Sequence, residues 1–203
     1  MAQDAAERDR ALIAAAERGD LAGIRQSVAQ GARIDARDPR GRTALLIATH
    51  RNDVEVARFL IREGADVNAK DQLQDSPFLY AGAEGRIEIL KLTLAAKADL
   101  ASTNRYGGTA LIPAAHHGHV EAVKVLLETK INVDHVNNLG WTALLEAVIL
   151  GDGGPTHTEI VRLLVAAKGN VNIPDRDGIT PLVHARRRGY AAMVGILEAA
   201  GAR

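Results

Sequence analysis

A single short pattern recurs in phase along this chain and constrains its fold more than any other feature. The triplets Thr43-Ala44-Leu45, Ser76-Pro77-Phe78, Thr109-Ala110-Leu111, Thr142-Ala143-Leu144 and Thr180-Pro181-Leu182 are spaced by 33, 33, 33 and 38 residues. Each follows a turn signal (DPRGRT, NRYGGT, NNLGWT, DRDGIT) and leads into two apolar segments separated by a Gly or Asn. Self-similarity at such a period marks a chain built of supersecondary units, none of which can bury its apolar face alone. The units therefore have to stack.

The physics of one unit is readable from its residues. The Thr or Ser hydroxyl is placed to cap a first helix, with Ala or Pro in the first turn. That helix carries small residues that allow close stacking. Gly85, Gly118 and Gly189, with Asn52 in the first full copy, supply a left-handed residue between the helices. The second helix presents Leu, Val and Ile at helical spacing.

On these residues the chain resembles the ankyrin repeat, whose pattern reads D-x-x-G-x-T-P-L-H-x-A. The resemblance implies an all-α fold, a solenoid of about six helix–turn–helix units with finger-like β-turns or hairpins. It divides one domain, 1–203, into units 38–70, 71–103, 104–136, 137–174 and 175–203, after a cap unit at about 5–37. Two departures stand out. The usual His is replaced in every unit, by Leu46, Leu79, Ile112, Leu145 or Val183, and Gln74 occupies a usual turn Gly. The run NRYGGTALIPAAHHGHVEAVKVLL with NNLGWTALLEA is similar to a group of bacterial ankyrin proteins, many of them exported; that likeness implies a role in stress protection which no residue shows.

The 203 residues include 25 basic and 25 acidic side chains. A balanced charge argues against nucleic acid or an anionic membrane as partner, since both select basic surfaces. Without cysteine there is neither a disulfide framework nor thiolate chemistry. No run of roughly 18 apolar residues occurs, so no membrane insertion is expected. The polar start MAQDAAERDR lacks the apolar core of a signal peptide. The compartment stays open: cytoplasmic as the chain stands, periplasmic if an export signal has been removed. A monomer is expected.

Ankyrin partners dock on the concave surface of finger tips and first helices, so the resemblance implies a non-enzymatic protein–protein interaction module. Carried onto this sequence, the partner-binding positions are Arg40, Arg42, Leu73, Arg105, Tyr106, Leu139, Trp141 and Ile179 on the fingers. Tyr80, His116, His117, Glu146 and His184 belong to the first helices. Tyr106 and Trp141 carry most weight, because exposed aromatics are enriched among binding hot spots; stacking between fingers is the competing, structural role. The row Ile47, Tyr80, Pro113, Glu146, His184 is unusually polar. It raises an alternative function, small-molecule or peptide sensing in a pocket at Tyr80/Glu146/His184. A Glu146–His184 hydrogen bond joining the last two units would explain the same residues structurally.

Other candidate chemistry is thin. The stretch His116-His117-Gly118-His119 lacks adjacent acidic or Cys ligands, so no metal and no cofactor is assigned. Lys97, Lys130 and Lys168 stand where the first full unit has Gly64, so a left-handed backbone is expected there; they read as surface lysines favoured by the helix dipole, with an anion-binding track as the alternative. No nucleophile elbow, P-loop, zincin or dinucleotide motif occurs. The stretch GDGGPTHTE (Gly151–Glu159) accounts for the 38-residue spacing. It reads as a five-residue insertion between the two helices of the fourth unit, with Thr156–Glu159 as a capping box and Asp152 and His157 as a minor accessory site.

Overall fold

The computed structural model describes residues 2–203, with side chains from Asp4 onward. Among these residues there are twelve α-helices and no strand; one isolated bridge joins Arg37 and Thr43. The helices are α1 Ala2–Arg18, α2 Leu21–Ala29, α3 Ala44–Arg51, α4 Val54–Arg62, α5 Pro77–Ala83, α6 Ile87–Ala95, α7 Leu111–His116, α8 Val120–Leu127, α9 Ala143–Ile149, α10 Pro155–Ala166, α11 Pro181–Arg187 and α12 Ala191–Ala199. Six helix pairs result, the first lacking the finger that precedes the other five.

The helices group into two compact bodies. One comprises the segment ending at Ala81 with Arg86–Asp99; the other comprises Gly82–Gly85 with Leu100–Arg203. In the first, α1 packs on α2 and α3, α3 on α4, and α4 on α6. Leu12, Ile24, Leu45, Leu60, Ile89 and Leu90 are fully buried there. In the second, α9 packs on α7, α10 and α11, and α10 on α8 and α12. Its core is built from Leu111, Leu126, Leu145, Ile160, Leu164 and Leu197. Close stacking needs small residues: a Cβ added at Gly82 would lie 2.9 Å from the Ala110 Cβ.

Capping follows the sequence pattern in four units and fails in one. Thr43, Ser76, Thr142 and Thr180 accept the amides of Leu46, Leu79, Leu145 and Val183. The Thr109 hydroxyl is buried without a partner, and α7 begins only at Leu111. Pro113 is the reason. Its equivalents Ile47, Tyr80, Glu146 and His184 donate their N–H to the carbonyl of the capping residue, and proline has none to give. The Thr109 carbonyl takes the Ile112 amide instead, at 3.2 Å, which removes that amide from the hydroxyl.

The lysine row also divides. Lys97 and Lys168 adopt φ of 62°, as expected of residues replacing Gly64, whereas Lys130 has no positive φ. After α4, α6 and α10 the closing bond runs from Ala65, Ala98 or Gly169 back to the carbonyl of Leu60, Thr93 or Leu164. After α8 the Thr129 hydroxyl replaces it: Oγ1 donates to Leu126 O at 2.6 Å and accepts the Ile131 amide at 3.1 Å. A side-chain bridge thus removes the need for a left-handed residue.

The insertion lies where the sequence places it, between α9 and α10, but it is not simply a longer loop. Thr158 is equivalent to Val120, the first residue of α8, and α10 already begins at Pro155. Part of the insertion is therefore an added helical turn. Gly154 is the N-cap and makes no side-chain cap bond, so the expected capping box at Thr156–Glu159 is not formed. Pro155, with its preset φ and missing N–H, starts the helix two residues earlier.

Candidate functional site

Each finger is built on one Asp or Asn. Asp38, Asp71, Asn104, Asn137 and Asp175 accept, through one side-chain oxygen, the amides two and four residues ahead. Such Asx bonds hold the turn closed and aim the intervening side chains outward. Gln74 takes φ of 63° in the second finger, which forms like the others. These five residues were not singled out by the sequence reading. Their signal was available: each stands three residues before the left-handed turn residue.

The outward side chains differ in availability. Leu73, Tyr106 and Leu139 are 58%, 52% and 47% exposed, and Val136, which sequence reasoning missed, is 45% exposed. Tyr106 and Leu139 belong to neighbouring fingers of the second body, which meet where the Asn138 amide donates to Tyr106 O at 2.9 Å. The Arg105 guanidinium lies 4.8 Å from the Tyr106 ring centroid. Trp141 is half-buried, its amide held by Asn137, and so offers less surface than a free finger position would. Arg40 is exposed and Ile179 partly so. Arg42 is engaged internally, 2.7 Å from Asp38 and 3.1 Å from Glu17, with its side chain only 17% exposed.

The polar row resolves differently from the expected Glu146–His184 bond. In the second body, Glu146 Oε1 accepts from Asn137 Nδ2 at 2.9 Å, and His184 Nε2 donates to Asp175 Oδ2 at 2.7 Å. Each is thus paired with the finger Asx of its own unit. Tyr80, in the first body, packs its ring 4.0 Å from that of His50. Every member of the proposed Tyr80/Glu146/His184 pocket has its own local partner.

Burial pushes the Glu146 carboxyl up to about 7 despite the Asn137 bond, which works the other way. His116 Nδ1 stands 3.7 Å from Glu146 Oε2, beyond hydrogen-bond reach. Burial lowers the His116 pKa, helped by the positive charge that His117 and His157 would add. At Asp175 burial works to raise the pKa, but the Ile179 amide and His184 outweigh it and hold the carboxyl low. His117 Nδ1 donates to Ala83 O at 2.7 Å. Among the described residues no group of three His, Asp or Glu side chains converges as metal ligands would. No described helix is long and apolar enough to cross a membrane.

The insertion is fastened rather than presented. His157 bonds Asp152 Oδ1 at 3.1 Å and His116 O at 2.9 Å, and Tyr190 Oη donates to Gly151 O at 3.0 Å. Gly153 is required by that contact: its φ is 72°, and a Cβ there would lie 2.3 Å from the Tyr190 ring.

Tandem helix pairs, all but the first introduced by an Asx-closed finger, define a repeat protein whose surface is a series of equivalent positions. The family model for ankyrin repeats (three copies) matches residues 12–104 and 78–175, and the chain belongs to the ankyrin-repeat family. A crystal structure of an ankyrin repeat domain from Acinetobacter baumannii AYE superposes with TM-score 0.93 at 57% identity, covering 95% of this chain and 98% of that one. The ankyrin repeat protein EF0377 gives TM-score 0.91 at 42% identity, with 94% and 97% covered. The putative ankyrin repeat protein YahD of Escherichia coli K12 is 42% identical over 57 residues, which is 28% of either chain. Ankyrin repeats are in general protein-interaction modules.

Proposed function

We propose that the protein is a non-enzymatic interaction module that holds another protein on the concave face of finger tips and first helices. The observation that carries this reading is the pair Tyr106 and Leu139. Two large apolar side chains stand half in solvent on adjacent fingers, whose backbones are joined by the Asn138–Tyr106 hydrogen bond. Apolar groups held exposed by a rigid scaffold supply binding energy without an ordering cost on association. On the same body, Arg105 and Ile179 would form the variable surround; Arg40 and Leu73 are the corresponding finger positions of the first body. Trp141 would act from behind the tips.

The test is quantitative capture from a lysate of the source organism on immobilised wild type and on Tyr106→Ala/Leu139→Ala. Circular dichroism verifies that the variant keeps its helices. At least one protein is expected to be retained by the wild type and depleted tenfold or more on the variant, since hot-spot truncations cost about 2 kcal/mol or more. Identical capture profiles would remove the fingertips from the interface.

A further inference from the structure

The polar group in the second body least explained by the fold is Glu146. Its side chain is 8% exposed, and Asn137 fixes one oxygen from behind, through the same residue that closes the fourth finger. The hydrogen bond to this carboxyl falls on Oε1, and His116 Nδ1 stands 3.7 Å from the second oxygen, Oε2. A largely buried carboxylate is costly in its ionised form unless something cationic reaches it; otherwise it takes up a proton. Nothing in the surrounding elements supplies that cation. From α7 comes His116, backed by His117; from α10 His157, bonded to Asp152 and to His116 O; from α11 His184, committed to Asp175.

We propose that Glu146 and His116 form the seat for one lysine side chain of the protein partner, entering behind the Tyr106 and Leu139 fingertips. The seat rests on the interaction reading above and names one element of its partner. The spacing suits an ammonium: a carboxylate oxygen and a neutral imidazole nitrogen 3.7 Å apart lie within reach of a single nitrogen with three donors. A guanidinium prefers a carboxylate with both oxygens free, and Asn137 already occupies one. The lowered His116 pKa keeps that ring neutral and accepting near neutral pH.

Because Glu146 titrates near neutrality, the seat exists only when that group is ionised, and apparent affinity scales with the ionised fraction. Binding should then strengthen about tenfold between roughly pH 6 and pH 8.

The probe is acetyl-Leu-Lys-Leu-amide, compared with its norleucine twin, in which a hydrogen replaces the ammonium. Both are titrated into the full chain, with the Glu146 side-chain carboxyl followed by carbon-13 NMR. The lysine peptide is expected to lower the Glu146 titration midpoint and to bind with the stated pH dependence. The twin should do neither, and Glu146→Gln should make the two peptides equivalent. If both peptides bind the wild type equally, the seat is wrong while the fingertip interface survives. If the lysine peptide leaves the Glu146 titration unmoved, or neither peptide perturbs the chain, the seat is likewise overturned. The wild-type measurement does not depend on how any variant folds.

Discussion

Asn137 donates its side-chain amide to Glu146, nine residues ahead, at 2.9 Å. One repeat later, Asp175 accepts from His184 at 2.7 Å across the same interval. Donor and acceptor have changed places together, so each finger is bonded to its own first helix by a complementary pair.

If complementarity holds these pairs, Asn137→Asp should be costly, since it sets a carboxylate against the buried Glu146. A loss of about 2 kcal/mol in urea unfolding is expected. Adding Glu146→His, which copies the fifth repeat, should restore at least half of it. A double variant as unstable as the two single changes summed would show that the pairs are not exchangeable.

The raised Glu146 pKa has a stability consequence of definite sign. The folded state holds this proton to about pH 7, the unfolded chain only to about its ordinary value of 4.5. The contribution is therefore full below 4.5 and is lost as pH rises through 7. After allowance for screening it amounts to roughly 2 kcal/mol. Asp38 and Asp175, held low, act in the opposite sense, but only in the acid range below their ordinary value. Unfolding of the wild type minus that of Glu146→Gln, followed across this window, should show the slope; a flat difference would contradict it.

The left-handed lysines make a paired prediction. Lys97→Gly and Lys168→Gly relieve backbone strain at φ of 62° and should each stabilise by about 1 kcal/mol. Lys130→Gly has no strain to relieve and adds unfolded-state entropy, so it should be neutral or destabilising. Equal effects at all three positions, read from thermal midpoints, would refute the assigned role of the Thr129 bridge.

Much of the fold is written in the period. The triplets, the inter-helix Gly residues and the apolar stripes are local signals that repeat in phase, so each confirms the others. What the period hides is substitution by chemistry rather than by likeness. Pro113 looks compatible with a first helix, yet it deletes the N–H that makes room for the Thr109 cap. Thr129 carries no turn signature, yet its hydroxyl releases Lys130 from a left-handed backbone. The polar row was visible as Glu146 and His184, but its pairing ran along each repeat rather than across repeats. Nothing in the sequence spacing chooses between those directions. Trp141 stands on a finger, but its half-burial depends on side-chain direction within the turn, which the spacing does not give.

The fastened insertion alters how the second body should come apart. In a linear array of repeats, cooperativity is set by how strongly each unit favours an ordered neighbour over a frayed one. His157 joins the fourth repeat to the third through His116, and Tyr190 joins the fifth to the fourth through Gly151. Extra coupling on both sides of one repeat suppresses the partly melted states in which the fifth repeat frays while the third persists. The inserted segment thus acts less as a loop than as a domain-wall penalty, biasing the carboxyl-terminal repeats to open together or not at all.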